Sequence, residues 1–197
     1  MNRLLHCHVL LCVVLGACGA PEVLAPRVGA VPPGIDLAGM WVMRQPPEGQ
    51  GRRIREAINK TDGIDESDIF RRRGQDRFGR SSSGSFKGGL VHVFLETGTR
   101  LKLTQTQYAL FISFDRSVVE EFRFGENRVV SVGEIEAQRV TGWEGDQLVV
   151  ETLDKNGMKL TERYWLTDDN NTLHRQITFR SKNLQEESVE QVFDRES

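Results

Sequence analysis

The side chains that could do chemistry are few and scattered. His6 and His8 lie in an apolar N-terminal run, which leaves His92 and His174, in Val91-His92-Val93 and Leu173-His174-Arg175. Two lone histidines without His, Cys or Asp at ligand spacing do not define a metal site, and both are expected as partly exposed strand residues. Asp62, Asp65, Glu66 and Asp68 cluster, but they lack the glycine and alternating ligands of a calcium loop and read as a solvated helix entry. Glu120-Glu121 and Glu134 with Glu136 are the carboxylate pairs that could serve as acid and base. Strand alternation puts the first pair on opposite faces and the second on one face. Ser83-Gly84-Ser85 is no nucleophile elbow, and the glycines at 84, 88 and 89 lack the spacing of a dinucleotide or phosphate loop. No catalytic, cofactor-binding or metal-ligating residue is assigned, and an enzyme is not expected.

The strong electrostatic feature is Arg71-Arg72-Arg73 with Arg77 and Arg80. They lie in residues 49–89, which carry ten basic and six acidic side chains, whereas residues 90–197 carry thirteen basic and nineteen acidic ones. The chain is therefore charge-polarised although its net charge is only −2. Such a cluster can contact lipid phosphates, at ~1 kcal/mol per basic residue near an anionic surface; a solvated insertion is the other reading. No nucleic-acid partner is expected, because the arginine cluster lacks the aromatic interleaving of a base-stacking surface apart from Phe70 and Phe78.

Met1-Asn2-Arg3 precedes an apolar run from Leu4 to Leu15 and then Gly16-Ala17-Cys18. A basic start, an apolar core and small residues predict an export signal over 1–17 rather than a membrane span. Leu15-Gly16-Ala17-Cys18 resembles the lipobox of bacterial lipoproteins. That resemblance implies cleavage before Cys18 and lipid attachment to it, and, since Gly19 rather than Asp follows, sorting to the outer membrane. Cys7 and Cys12 would leave with the signal, so a mature chain would have Cys18 as its sole thiol and no intrachain disulfide. Residues 18–36, rich in Pro, Gly and Ala, are expected as a flexible tether between the lipid and the domain.

Residues 37–197 are expected to form one domain. With 38% hydrophobic and 27% charged residues in 197, the composition is that of a globular chain and excludes collagen-like, coiled-coil and polytopic membrane classes. Ile54, Ala57 and Ile58 have helical spacing, a second short helix could start after Asp65 or Ser67, and Ser81-Ser82-Ser83-Gly84-Ser85 reads as a linker. Residues 49–89 are thus a partly helical, partly mobile insertion. From Leu90 the period becomes two: Tyr108, Leu110, Ile112 and Phe114 alternate with Ala109, Phe111 and Ser113, and Leu173, Ile177 and Phe179 with His174, Gln176 and Thr178. Turn chemistry recurs at Gly125-Glu126-Asn127, Glu144-Gly145-Asp146, Asn156-Gly157 and Asp168-Asp169-Asn170-Asn171, and Asn156-Gly157 is expected to supply the positive φ angles of a tight hairpin. The class is mainly β: an antiparallel meander of about ten strands closing as a barrel.

Gly39-Met40-Trp41 ahead of this meander resembles the Gly-x-Trp entry of lipocalin-like barrels. The resemblance implies that the indole closes one end and that a basic side chain of a late strand packs over it, with Arg175, Arg180 and Arg195 as candidates. A second stretch, Trp143-Glu144-Gly145-Asp146-Gln147-Leu148-Val149-Val150-Glu151-Thr152 followed by Thr161-Glu162-Arg163-Tyr164, is similar to a pattern in uncharacterised exported bacterial proteins. It implies hairpins and brings no chemistry; its conspicuous residues are expected to be structural, with Glu162 and Arg163 on opposite faces. Two functions follow as expectations. One is a lipoprotein that binds a lipid or small apolar ligand without catalysis, in an interior lined by Trp41, Tyr108, Leu110, Ile112, Phe122, Phe124, Tyr164 and Phe179. The other is an interaction protein that contacts envelope lipids or a protein partner through its surface and the arginine-rich insertion.

Overall fold

In the computed structural model residues 21–44, 49–62, 91–116, 118–168 and 170–196 are described. The period-two segments form strands β1 (Gly39–Met43), β2 (Arg100–Gln105), β3 (Ala109–Phe114), β4 (Val118–Arg123), β5 (Asn127–Val132), β6 (Ile135–Glu144), β7 (Gln147–Asp154), β8 (Lys159–Thr167), β9 (Thr172–Arg180) and β10 (Glu186–Arg195). Helix α1 spans Gln50–Asp62, and a 3-10 turn spans Val91–Phe94.

All ten strands belong to one antiparallel sheet in the order β4-β3-β2-β1-β10-β9-β8-β7-β6-β5. Each strand pairs with its chain neighbours except at one junction, where β4 and β5 share no ladder, and β1 pairs with β10 as well as with β2, with Trp41 opposite Arg195. Those two free edges follow one another in the chain, and side chains span the seam: Arg128 donates to the Glu121 carbonyl at 2.8 Å and Arg139 to the Glu120 carboxylate at 2.9 Å. The result is an up-and-down barrel of the lipocalin-like type with one ladder interruption.

Alternation sorts the side chains as their types require. Leu101, Leu103, Leu110, Ile112, Phe114, Phe122, Leu148, Val150, Tyr164, Leu173 and Phe193 point inward and form one buried cluster with Trp41, Trp143 and Leu37. Removing such surface from water supplies the main driving force, ~1.5–3 kcal/mol per large apolar side chain. A second cluster fills the other end, where Ile54 and Ala57 of α1 and Val91 and Phe94 of the 3-10 turn pack on Leu160, Ile177, Phe179 and Val189. The helical spacing of Ile54, Ala57 and Ile58 therefore serves to cap the barrel. The Trp41 end is called the floor below, and the α1 end the capped end.

Several local expectations are corrected. His92 lies in the 3-10 turn rather than a strand, and regular pairing begins only at Arg100. Glu134 sits in the β5–β6 turn, so it shares no strand face with Glu136. In the β7–β8 turn only Gly157 has positive φ, at 83°. There the Asp154 carbonyl accepts from Gly157 N–H at 3.1 Å and its carboxylate from Asn156 and Met158 N–H at 2.8 and 3.0 Å. A longer turn with glycine in its left-handed position thus replaces the expected two-residue turn. The second short helix and the serine-rich linker lie outside the described residues.

The largest correction concerns the tether. Residues 21–36 lie against the barrel as a strap. Glu22 bridges Arg180 and Lys159, 4.0 Å from the lysine. Leu24 is buried with Val140 and Leu153, outward residues of β6 and β7. Arg27 binds Glu144 and, at 2.7 Å, Glu151. Val28 pairs with Trp143, its carbonyl accepting the Trp143 N–H at 2.8 Å. Gly142 makes this possible, because a Cβ there would stand 2.5 Å from the Val28 carbonyl oxygen. Beyond it Val31 and Ile35 turn under the floor, where Leu37 is buried. Pro and Gly here shape a strap along the wall rather than a free spacer.

Candidate functional site

The floor is built from Gly39, Trp41 and Arg195. The Trp41 indole is buried, donates to the Leu37 carbonyl at 3.1 Å, and lies under the Arg195 guanidinium, 4.2 Å from the ring centroid. Arg195 also donates to the carbonyls of Ala38 and Asn170 at 2.7 and 2.9 Å. Gly39 has φ 148°, and a Cβ on it would meet Arg195 Nη1 at 2.6 Å. The Gly-x-Trp entry is thus explained by contact. Of the three candidate partners, Arg195 takes the role, Arg175 is drawn into the interior, and Arg180 faces out to Glu22.

Between floor and cap the barrel holds a polar layer. Arg175 is fully buried. Its Nε donates to Glu162 at 3.0 Å, Nη1 to the Gln191 side chain at 3.2 Å, and Nη2 to Glu162 and, at 2.8 Å, to the Glu96 carbonyl. The guanidinium also lies 5.1 Å from the Phe114 ring centroid and 5.5 Å from that of Tyr164, a cation–π arrangement. The Tyr164 hydroxyl donates to the same Glu162 oxygen at 2.7 Å. Burial, reinforced by the Glu162 charge and opposed by Arg175, pushes the Tyr164 hydroxyl well above its ordinary range. A second station pairs Arg139 with Glu120 at 2.9 Å and Thr152 at 3.1 Å, its guanidinium between the rings of Phe94 and Phe122. Buried charges are tolerated because each is matched and hydrogen-bonded.

Of the residues expected to line a cavity, Trp41, Leu110, Ile112, Phe122, Tyr164 and Phe179 do point inward, and all are buried. Trp41, Leu110, Ile112, Phe122 and Tyr164 pack in one buried cluster around the polar layer and Phe179 in the cluster at the capped end, each at most 2% exposed. Tyr108 is corrected outright; it occupies the β2–β3 turn and is 72% exposed. Phe124 is only half-buried, edge-on to Trp143 at 5.4 Å beside the floor. Cys18, and Arg71, Arg72, Arg73, Arg77 and Arg80, fall outside the described residues.

Period two could have revealed the polar layer. Arg175 shares its parity with Leu173 and Ile177, and Glu162 with Leu160 and Tyr164, so alternation alone puts them inside. Glu162 and Arg163 do lie on opposite faces, and Arg163 pairs outside with Glu144 at 2.6 Å. Glu120 and Glu121 also separate as expected, inward to Arg139 and outward to Arg123. His174 faces out on β9, stacked on Trp165 with centroids 5.0 Å apart and held by Glu190 at 2.8 Å and Thr167 at 3.0 Å. Among the described residues no group of three His, Cys, Asp or Glu side chains is placed to hold a metal ion. Hollows occur on the outside: about 220 Å³ between α1 and β10, lined by Arg53, Lys60 and Glu187, and about 240 Å³ beside Glu22, lined by Val129, Ala137 and Leu153.

No protein-family model and no curated protein matches the chain. Among solved structures it is similar to secretory abundant heat soluble protein 4 from Ramazzottius varieornatus, with 15% identity, a TM-score of 0.45, and coverage of 81% of this chain and 94% of that one. It is similar also to apo lipid binding protein 8 of Caenorhabditis elegans, at 12% identity, TM-score 0.46 and coverage of 83% and 99%. A third is the REP1-NXSQ fatty acid transporter, at 11%, 0.44, 82% and 97%. The strand order and register given above, with a ten-stranded meander closed by β1 against β10, establish the fold as a lipocalin-like antiparallel barrel.

Proposed function

We propose that this chain is a non-enzymatic binding module, held on the outer membrane through lipid on Cys18, whose partner meets the outside of the barrel in the capped form. The observation that supports the second half is the charged layer inside the barrel: Arg175, Glu162 and Tyr164 are buried and bonded to one another beside Phe114, a poor lining for an apolar ligand. The first half rests on the lipobox-like Leu15-Gly16-Ala17-Cys18. Two acyl chains hold a domain to a bilayer firmly, at ~0.8 kcal/mol per buried methylene.

A lipid inside the barrel is the second reading, favoured by the construction of the cap. Ile54, Ala57, Val91 and Phe94 close that end from segments outside the strand ladders, so withdrawing them opens the interior without breaking a strand pair. The fatty-acid and lipid names of two of the similar structures agree with such a ligand. Native mass spectrometry of the purified full chain separates the readings. A co-purifying acyl lipid with displaced Phe94 supports the second, and a ligand-free mass together with no uptake of apolar dye supports the first. Removing residues 63–90, which spares α1 and the 3-10 turn, should weaken membrane or partner association and leave the β circular dichroism intact. Unchanged association would exclude the arginine-rich segment as a contact.

A further inference from the structure

Because strands alternate in direction, the turns β3–β4, β5–β6, β7–β8 and β9–β10 all lie at the capped end, and the turns β2–β3, β4–β5, β6–β7 and β8–β9 at the floor. The two sets of tips differ in charge. The capped-end turns carry Arg116, Lys155 and Lys182 against Asp115 and Glu134; the floor turns carry Glu126, Asp146 and Asp168 with no basic residue among those described. Exposed aliphatic side chains adjoin three of the four capped-end turns, whereas the floor turns carry one exposed aromatic, Tyr108. Val118 and Val119 adjoin the β3–β4 turn, Val132 ends β5, and Leu184, 69% exposed, stands in the β9–β10 turn at φ 63°. A leucine held out to water in a left-handed conformation pays twice, in strain and in exposure.

The strap begins at this same end. Glu22 bridges Arg180, the last residue of β9, and Lys159, the first of β8. Only Gly19, Ala20 and Pro21 stand between Cys18 and Glu22, so the reach from Cys18 to the first contact with the barrel wall is roughly 14 Å at most. A flexible tether would leave the barrel free to tumble above a bilayer, whereas a docked strap fixes which end is near.

We infer that the capped end is the membrane-facing end, its Leu184 and Val132 side chains entering the headgroup region of an anionic lipid surface with Lys155 and Lys182 beside them, while the floor turns with Glu126, Asp146 and Asp168 point away. This rests on the reading of Cys18 as the lipid-bearing residue. Apolar tips flanked by lysines suit such a boundary, since the aliphatic parts leave water and the ammonium groups stay at the phosphates.

The test uses the full lipidated chain with a polarity-sensitive fluorophore on Leu184→Cys or Asp146→Cys, in vesicles of phosphatidylethanolamine and phosphatidylglycerol containing spin-labelled lipid. Quenching and a blue shift at position 184, with neither at position 146, are expected; equal quenching, or quenching only at 146, overturns the inference. Failure of the anchor reading shows separately, as a chain whose mass carries no acyl group on Cys18. Coupling Cys18 to a maleimide lipid then still tests orientation by the same contrast. In a non-acylated Cys18→Ser chain, Leu184→Asp should lower vesicle partition by about tenfold, as withdrawing one large aliphatic side chain does. No change would also overturn the inference.

Discussion

Replacing Glu162 by alanine should be among the most damaging single changes in the barrel wall. Glu162 is the only carboxylate that the described geometry places on Arg175, through Nε at 3.0 Å and through Nη2, and its oxygen also accepts the Tyr164 hydroxyl at 2.7 Å. Without it, a fully buried guanidinium keeps only the Gln191 side chain and the Glu96 carbonyl. Breaking a buried pair by removing one partner costs about 3–5 kcal/mol. For a chain of this size that lowers Tm by roughly 6–20 °C, at ~2–4 °C per kcal/mol. The double change Glu162→Leu with Arg175→Met removes both charges and both desolvation penalties, so it should recover most of the loss. Urea unfolding followed by tryptophan fluorescence measures both, with a fall in midpoint at unchanged slope as the expected signature. A Glu162→Ala loss below about 1 kcal/mol, or a double variant no more stable than the single one, would refute the account of the polar layer as a matched pair.

Three further outcomes are expected. Gly39→Ala should destabilise by about 1–3 kcal/mol, because φ 148° and Arg195 Nη1 at 2.6 Å both oppose a Cβ; a near-ultraviolet circular dichroism change from the Trp41 site should accompany it. Gly142→Ala should detach the strap without unfolding the barrel, since the added Cβ meets Val28 and Arg27; faster hydrogen exchange of the Trp143 amide, with β9 and β10 unchanged, is the readout. Acid should do the same reversibly. Burial raises the Glu151 carboxyl, but Lys159 and Arg27 outweigh it and hold the group below the usual carboxylate range, as Arg27 and Arg163 do for Glu144. A depressed folded value stabilises above the unfolded pKa of ~4.3 and is lost as pH falls through the folded value. The strap should therefore stay docked at neutral pH and loosen below about pH 4, and Arg27→Ala should abolish that acid step.

Most of the strand inventory can be read from period two, because inward positions such as Leu173, Ile177 and Phe179 are apolar and alternate with His174, Gln176 and Thr178. The Gly-x-Trp entry and its late arginine are legible for a similar reason: close packing at the floor demands that particular triplet. Where the pattern mixes polarity, alternation must be followed through the charge. Arg175 and Glu162 look like surface residues by type and are interior residues by parity. The strap is illegible from composition, since Pro and Gly suit a free linker as well as a close-fitting segment, and only Gly142 on the opposing strand hints at a chain passing over it. His92 shows the limit for short runs: Val91-His92-Val93 alternates like a strand, yet it has no partner strand and instead packs its valines and Phe94 into the capped end.

The pairing of β1 with β10 also sets an order of events. Trp41 finds its ladder partner Arg195 at the far end of the domain, whereas β2 to β4 and β5 to β9 are joined by short turns to their own neighbours. Local hairpins can form as soon as they are made, but the β1–β10 ladder must wait for the last strand, and non-local closure of this kind slows folding. Until β10 arrives, Trp41 lacks its cation, and β9 and β1 lie open along their edges. The barrel therefore passes through a nearly complete, unlatched state. A chain shortened before Phe193 should remain there, rich in β structure and prone to pair its open edges with a second copy.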